Sequence, residues 1–446
     1  MKGMKKTVFL LSALALVFAL TGCSKKSGSS AAAASDGGFK GVQLVYSSFW
    51  NEAEPAAVWL KQMAKQWETE TGGSIRFNFI GRDLLTQIKT QVLSGNAPDI
   101  IDQDSSEIQA AFLTDEVLLQ PLNEVLNGTA PGDSVPLKDK LNSGYTMYTQ
   151  GGNDYFVPFM FVTAGFFYDK TMFAKLNLSV PKTWEDFIKV CSALKAAGIP
   201  PIALDGNISF YNAYYYTWAV QRVLGSGQLM AAASDPTGAA WDNPGYLEAA
   251  KLVYELSKGG KNLFQPGYEG SAYPTGQSEW AQGKYGMVFC GTWIPVETSE
   301  QTADDFKYGF FSFPAVPGGK GSGTEIEAQS FSFAVPRDAK QPAAAKNFIS
   351  YLSSKKSADI FVNASTNISA RTDAISPQHL DDANPILSNS TGYFKNYDGV
   401  MGSLPEWWAD IFYPADNGLV FGTLTPERFI SQIKADTIRF YANKQR

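Results

Sequence analysis

The sequence predicts a large α/β protein, organised as two lobes. The chain has 446 residues, and at about 150 residues per domain this length suggests two or three globular units. Hydrophobic residues make up 44% and charged residues 18%, a composition that excludes a disordered chain. Short β-rich runs alternate with amphipathic helical patterns, as in βαβ units with a parallel sheet.

The first βαβ unit is the clearest. Val42–Tyr46 reads as a strand, apolar residues from Trp59 to Trp67 recur at helical spacing, and Ile75–Ile80 is again β-rich. A second helical pattern at Leu84–Val92 is followed by a short strand at Asp99–Ile101. This order of elements favours a parallel sheet at the start of the domain.

The remainder of the chain repeats the pattern. Thr183, with Asp186 three residues later, approaches a capping box and predicts a helix start. Thr425, followed by Pro426, predicts the start of the final helix. Short strands are predicted at 165–168, 286–290, 308–313 and 330–335.

The N-terminus has the features of an export signal. Three lysines precede an apolar run from Thr7 to Leu20, which is too short for a comfortable membrane span. Leu20-Thr21-Gly22-Cys23 resembles the bacterial lipobox, the alternative being an ordinary signal peptide with a chance cysteine. We expect 1–22 to be a lipoprotein signal peptide and 23–39 a lipidated Cys23 with a flexible tether. The protein would be exported and lipid-anchored on the extracytoplasmic face of a bacterial membrane.

Charge and residue usage exclude several classes of function. A net charge of −6 without a basic cluster argues against a nucleic-acid partner. The single His, His379, argues against multi-His metal sites, and no EF-hand-like spacing occurs, so we expect neither metal nor cofactor. Cys191 and Cys290 lie in apolar stretches, where two free buried thiols are favoured over a disulfide.

Several segments in order resemble the bacterial extracellular solute-binding proteins of the sugar-binding class (family 1), the lipoprotein receptors of ABC importers. The resemblance spans about residues 41–440, and no single segment is very specific. The segments that carry it are a strand–loop–helix at 43–72, Ser-Gly-Asn-Ala-Pro-Asp-Ile at 94–100, Tyr-Phe-Val-Pro at 155–158, Gly-Phe-Phe-Tyr-Asp-Lys at 165–170, Pro-Lys-Thr-Trp-Glu-Asp-Phe at 181–187, and 282–293 with its Gly-Thr-Trp end.

This resemblance implies a two-lobed periplasmic-binding-protein fold of type II, similar to maltose-binding protein, with the ligand between the lobes. Two or three crossings would form the hinge. The implied crossings lie near 160–164, 309–313 and 334–337, which assigns 40–161 plus 312–335 to the first lobe and 163–310 plus 337–446 to the second.

The resemblance also implies a function. We expect a monomer that captures a mono- or oligosaccharide without chemistry and delivers it to the transmembrane subunits of an ABC permease. The same fold could instead bind a polyol, a glycerol phosphate or a peptide, or act as a ligand sensor. A more remote alternative, an exported glycoside hydrolase, would need two carboxylates ~5–10 Å apart.

A sugar site needs flat aromatic rings for its C–H face and polar side chains for its hydroxyls. In α/β sheets such groups collect beyond the carboxyl ends of strands. Trp50 and Glu52 follow the first strand, and Asp104 follows the Pro-Asp-Ile strand, although Glu52 and Asp104 could simply cap helices. Asn207 and Tyr215 follow a further strand, and Tyr215 could instead pack in the core.

Other candidate site residues lie at the crossings and in the C-terminal part. Phe161 flanks the first crossing, Gln329 precedes a crossing strand, and Trp407 belongs to a Trp pair. The resemblance adds Trp293, since the family commonly places a Trp of this motif in the cleft, and Arg371, which follows Asn-Ile-Ser at a position where the family often has an Arg.

Overall fold

The structure is a computed structural model that describes residues 38–114 and 116–444. The expected signal peptide and Cys23 lie outside these residues. The strands are β1 Gln43–Ser48, β2 Ser74–Phe79, β3 Ile100–Asp104, β4 Val157–Val162, β5 Ala164–Asp169, β6 Ile202–Ala203, β7 Met287–Gly291, β8 Tyr308–Phe311, β9 Glu325–Ala334, β10 Ile368–Ser369 and β11 Gly392–Lys395.

Helices cover the sheets, and within the described part of the chain none is long and apolar enough to cross a bilayer. They are α1 Pro55–Thr71, α2 Leu84–Leu93, α3 Ser105–Phe112, α4 Asn123–Asn127, α5 Lys170–Lys175, α6 Trp184–Ala196, α7 Ser209–Leu224, α8 Gln228–Ala233, α9 Pro244–Leu256, α10 Thr275–Ala281, α11 Ile294–Thr298, α12 Pro342–Leu352, α13 Lys355–Ser365, α14 Ala383–Ser388, α15 Val400–Ser403, α16 Pro405–Trp407, α17 Tyr413–Val420 and α18 Pro426–Lys444.

The strands form two sheets, each at the centre of one lobe. The first sheet has the order β10-β4-β9-β3-β1-β2, with β11 also pairing with β9. Its β1, β2 and β3 are parallel, whereas β9 runs antiparallel to both β3 and β4. The second sheet has the order β6-β7-β5-β8, with β5 antiparallel to both neighbours. The predicted two-lobed α/β fold is therefore confirmed.

The first lobe is held by aromatic packing between its sheet and α1. Pro55 stands at the start of α1 and Gly72, with φ 76°, ends it in the left-handed conformation that glycine adopts without strain. Trp59 of this helix is buried against Phe159, Phe333 and Phe361, with ring centroids 4.9–6.3 Å apart. Phe361 belongs to α13, so the packing joins the sheet to helices from distant parts of the chain.

The second lobe has its core around Phe166 of β5. The Phe166 ring lies 4.6 Å from Phe187 and from Phe289 and 5.3 Å from Phe311, measured between centroids. The predicted start of α6 is present, since Thr183 accepts a hydrogen bond from the Asp186 N–H. Cys191 and Cys290 are buried in this lobe as free thiols, the state that the sequence favours.

The chain passes between the sheets in places that differ partly from the sequence prediction. It leaves β4 at Val162 and enters β5 at Ala164. The assignment of all of 337–446 to the second lobe is wrong, because α12 and α13 pack on α1 and β10 pairs with β4. The assignment of all of 312–335 to the first lobe is also wrong, because Phe313 packs on Trp184 and Ala315 pairs with Thr183 in the second lobe.

Candidate functional site

A cavity of about 700 Å³ lies between the two lobes. The first lobe contributes the loop after β1, the end of β3 and the side chains of β9, and the second lobe contributes the start of α7 and the loop after β7. The principal lining residues of the first lobe are Phe49, Trp50, Gln103, Asp104, Gln329 and Phe331. Those of the second lobe are Phe210, Tyr211, Tyr214, Tyr273, Trp293 and Tyr397.

The first-lobe wall is an aromatic platform, formed by Phe49, Trp50 and Phe331. Their ring centroids are 5.3–5.8 Å apart, and Trp50 and Phe331 are inclined by 31°. The Arg82 guanidinium lies 4.3 Å from the Phe49 ring centroid and pairs with Glu54 at 3.0 Å. This cation–π contact and ion pair tie the loop after β1 to the following helices, which holds the rings in place before any ligand arrives.

The second-lobe wall is also aromatic. Tyr214 and Tyr397 stack with centroids 5.0 Å apart, and the Tyr397 hydroxyl donates a hydrogen bond to the Phe210 carbonyl oxygen at 2.9 Å. Tyr273 donates its hydroxyl proton to Glu297 at 3.1 Å. Rings that face a cleft from both sides can enclose the C–H faces of a flat, hydroxyl-rich molecule.

Trp293 reaches this wall because Gly291 has no side chain. A Cβ built on Gly291 would lie 2.0 Å from Cζ3 of the Trp293 ring. Gly291 ends β7 and is buried beside Ala164 of β5, so the ring folds back over the end of the strand. A glycine is required at this position by the close approach of the ring.

The polar part of the cavity is formed where β3 runs into α3. One oxygen of Asp104, Oδ1, accepts hydrogen bonds from the N–H groups of Ser106 and Glu107 at 2.8 and 3.0 Å. The other, Oδ2, has no hydrogen-bond partner within 38–114 and 116–444, although Gln329 lies close to it. Burial, together with the charge of Glu107, raises the pKa of Asp104 well above its usual range.

Two further buried amides have unsatisfied oxygens. Oε1 of Gln103 and Oδ1 of Asn396 find no donor among the described residues. The indole Nε1 of Trp50 is likewise unpaired there. Buried polar atoms of a folded protein normally have partners, and a polar ligand in the cavity could supply the partners that these four atoms lack.

The titratable groups of the cavity are mainly acidic. Glu297 is largely buried, which raises its pKa, while hydrogen bonds from Gln277 and Tyr273 partly offset the rise. In the described chain, no group of three or more His, Cys, Asp or Glu side chains is placed to hold a metal ion. What the arrangement can do is enclose a molecule between rings and hydrogen-bond its edges.

Four of the residues singled out by the sequence line this cavity. They are Trp50, Asp104, Trp293 and Gln329. Trp50, Asp104 and Trp293 stand at or beyond the end of a strand, and Gln329 lies on β9. Asp104 also caps α3, so the cap and the cavity position are combined in one side chain.

Four other predicted site residues lie elsewhere. Glu52 is an exposed side chain that pairs with Lys61 at 3.4 Å. Phe161 and Tyr215 are 0% exposed and pack in the cores of the two lobes. Asn207 is exposed outside the cavity, where its Oδ1 accepts a hydrogen bond from the Tyr273 N–H. These positions for the cleft were wrong because strand order alone does not say which side of an element faces the ligand.

The last two predicted residues have structural roles. Arg371 is buried and forms a bidentate ion pair with Asp133, at 2.7 and 2.9 Å, and a second pair with Asp373. Trp407 is 0% exposed, and its Nε1 donates to the Thr437 hydroxyl oxygen. Neither lines the cavity, because the partners of both side chains lie within the packed interior.

Several residues that line the cavity were not predicted from the sequence. Phe331 lies two residues after Gln329 on β9, and the period of two in a strand could have placed both on one face. Asn396 and Tyr397 follow a short strand and carried no such signal. Tyr397 and Asp398 adopt left-handed φ angles of 49° and 55°. Residues other than glycine rarely adopt this conformation, and no sequence pattern predicts it here.

Comparison with known proteins agrees with this architecture. The Multiple sugar-binding protein of Streptococcus mutans is 25% identical over 318 residues, which cover 69% of this chain and 71% of that protein. The Diacetylchitobiose binding protein NgcE of Streptomyces coelicolor is 25% identical over 304 residues, or 63% of this chain and 59% of that protein. The apo form of RafE from Streptococcus pneumoniae has the same fold, with a TM-score of 0.73 at 18% identity over 89% of this chain and 97% of that one.

The sequence profile of one family matches the chain over residues 51–359. This range contains Phe331 of the platform, the polar end of β3 and Trp293, and it covers more than half of the sequence. Together with the two lobes and the cavity between them, the match leads to one conclusion. The chain belongs to the bacterial extracellular solute-binding proteins.

Proposed function

We propose that the protein captures a carbohydrate, a mono- or oligosaccharide, between its two lobes and releases it unchanged. The observation that carries the proposal is the cavity itself, in which aromatic walls from both lobes enclose unpaired polar atoms. Rings suit the C–H faces of a sugar, and amide and carboxylate oxygens suit its hydroxyls. The cavity volume of about 700 Å³ lies within the range of roughly 300–1,000 Å³ that is typical of small-molecule sites.

The relatives support the same ligand class. One similar protein is named for binding multiple sugars and another for binding diacetylchitobiose. RafE has been solved in complex with raffinose. None of these names mentions a catalytic activity, which favours binding over hydrolysis.

We further propose the cellular setting. The N-terminal residues would export the chain and leave Cys23 lipidated, so that the monomer works tethered outside a bacterial membrane. Closure of the lobes around the sugar would present a surface that the transmembrane subunits of an ABC permease distinguish from the open form. Residues Trp50, Asp104, Trp293 and Gln329 would contact the sugar.

Calorimetric titration with a panel of mono- to tetrasaccharides tests this proposal. We expect at least one sugar to bind, and Trp50→Ala and Trp293→Ala each to weaken binding at least tenfold, about 1.4 kcal/mol, because each removes a large ring from a wall. Tyr215→Phe is the matched control, since its buried hydroxyl has no partner among the described residues and lies away from the cavity.

The sugar recovered after incubation completes the test. Intact sugar agrees with capture and release, whereas cleaved sugar would show that the protein is a glycoside hydrolase. Binding of peptides or glycerol phosphates, with no response to any sugar, would contradict the ligand class while leaving the family assignment in place.

A further inference from the structure

The first observation concerns what the unpaired atoms of the cavity can accept. Gln103 and Asp104 are each 2% exposed and Asn396 is 4% exposed. In each the unpaired atom is an oxygen that no donor among the described residues satisfies, whereas the fourth unpaired atom of the cavity, Nε1 of Trp50, is a donor. An amide oxygen or an ionised carboxylate oxygen accepts hydrogen bonds, so the partners missing from Gln103 and Asn396 are donors, and so is the partner missing from Asp104 in its ionised form. A bound molecule that completes this site has to bring O–H or N–H groups to it.

The second observation concerns charge. Arg82 is the single Lys or Arg among the described residues that line the cavity, and its guanidinium is already paired with Glu54 at 3.0 and 3.1 Å. Asp104, Glu107 and Glu297 also line the cavity, and they have no cationic partner within 4.0 Å in the described parts of the chain. The wall is therefore acidic, and no free cation stands ready to meet an anionic group.

From these two observations we infer that the cavity selects its ligand by charge. It takes saccharides whose polar groups are uncharged hydroxyl or amide donors, and it rejects saccharides that carry a carboxylate or a phosphate. The inference rests on the proposed function and narrows its substrate class. A like charge placed in a poorly hydrated cavity is repelled, and an oxygen acceptor left without a donor weakens binding further.

The same acceptors explain why methylation of the sugar should matter. An O-methyl ether keeps the sugar's oxygen atoms but loses the donor proton. A site in which most of the unpaired atoms are acceptors distinguishes the two, since each unsatisfied buried oxygen keeps its desolvation cost. An acidic wall that merely lay near the ligand would not make this distinction.

The test uses matched sugar pairs. Raffinose, N,N′-diacetylchitobiose and a xylo-oligosaccharide are titrated against the full protein, each beside a derivative in which one hydroxyl group has been phosphorylated. For raffinose and N,N′-diacetylchitobiose, a derivative in which one primary hydroxymethyl group has been oxidised to a carboxylate is titrated as well. For whichever sugar binds, we expect the uncharged member to bind about 100-fold more tightly than the anionic one. A per-O-methylated derivative should lose at least tenfold.

A double variant tests whether the acidic side chains of the cavity cause the preference for the uncharged sugar. In Glu107→Gln/Glu297→Gln the ratio of the two affinities should fall about tenfold, and the ratio rather than either affinity is the readout. Glu52→Gln removes an exposed carboxylate that lies outside the cavity, and this control should leave the ratio as it is.

Two outcomes would overturn the inference, and they are distinguishable. If an anionic derivative binds as tightly as its uncharged parent, the selection by charge is wrong and carbohydrate capture stands. If no sugar of either kind binds, the proposed function fails and the inference fails with it. An unchanged ratio in the double variant would show that the wall does not cause the discrimination.

Discussion

The tight packing of the Trp293 ring against Gly291 gives a specific prediction. Gly291→Ala adds a methyl group whose carbon would lie 2.0 Å from Cζ3, 2.3 Å from Cε3 and 2.4 Å from Cη2 of Trp293. Ordinary contact begins at 3.4 Å, so the ring has to move by about 1.4 Å. Gly291 lies on a strand paired with β5, and its backbone has little freedom to yield. The displacement therefore falls on the indole.

We expect the movement of the ring to weaken sugar binding about tenfold, or about 1.4 kcal/mol, because stacking requires the ring to lie flat against the ligand. Calorimetric titration measures the loss, and thermal unfolding shows whether the variant remains folded. Gly270→Ala is the matched control. Its added Cβ meets no atom within 4 Å, so binding should stay at the wild-type value.

A double-mutant cycle can refute the reasoning. Because the added methyl acts through the Trp293 ring, Gly291→Ala should cost nothing further in a Trp293→Ala background. Full additivity of the two losses would mean that the methyl group disturbs something other than the indole. Wild-type affinity in Gly291→Ala alone would mean that the position of the ring does not matter to the ligand.

Two more predictions concern stability. Arg371→Met should lower the free energy of unfolding by about 3–5 kcal/mol in denaturant titration, because it leaves Asp133 buried without its partner, whereas Arg337→Met, which breaks an exposed pair, should cost less than about 1 kcal/mol. Equal losses would contradict the buried-pair argument. Burial raises the pKa of Glu327 from 4.5 to about 8, so the folded state holds a proton that the unfolded state has lost, and this contribution to stability should fall as the pH rises from about 4.5 to 8. In thermal unfolding across that range, the stability of Glu327→Gln should depend less on pH than that of the wild type. Identical slopes of stability against pH would show that Glu327 does not cause the pH dependence.

Three of the predicted residues that line the cavity share one property. Trp50 and Trp293 stand just beyond strands whose ends can be recognised from alternation and glycine, and Asp104 ends such a strand. Because the carboxyl ends of neighbouring strands meet at one edge of a sheet, their loops converge in space. Local pattern located these loops, but it did not distinguish Trp50 from Glu52, which follows the same strand and lies outside the cavity.

The misplaced residues depended on contacts that no local pattern contains. Arg371 is neutralised by Asp133, which lies 238 positions away in the chain. Tyr215 and Tyr211 lie on the same helix, yet Tyr215 is buried in the core and Tyr211 lines the cavity. A helical pattern rich in tyrosine reports that several rings are buried, and only the packing of the lobes decides which of them meets the cleft.

The order of strands in the first sheet has a consequence for biosynthesis. β9 lies between β3 and β4 and pairs with both, yet it begins at Glu325, long after β4 has been made. A chain interrupted before that residue has two strands whose backbone N–H and C=O groups face an empty position. Open edges of this kind pair readily with other chains. Truncated or slowly delivered chains of this protein should therefore aggregate until residues 325–334 emerge and fill the sheet.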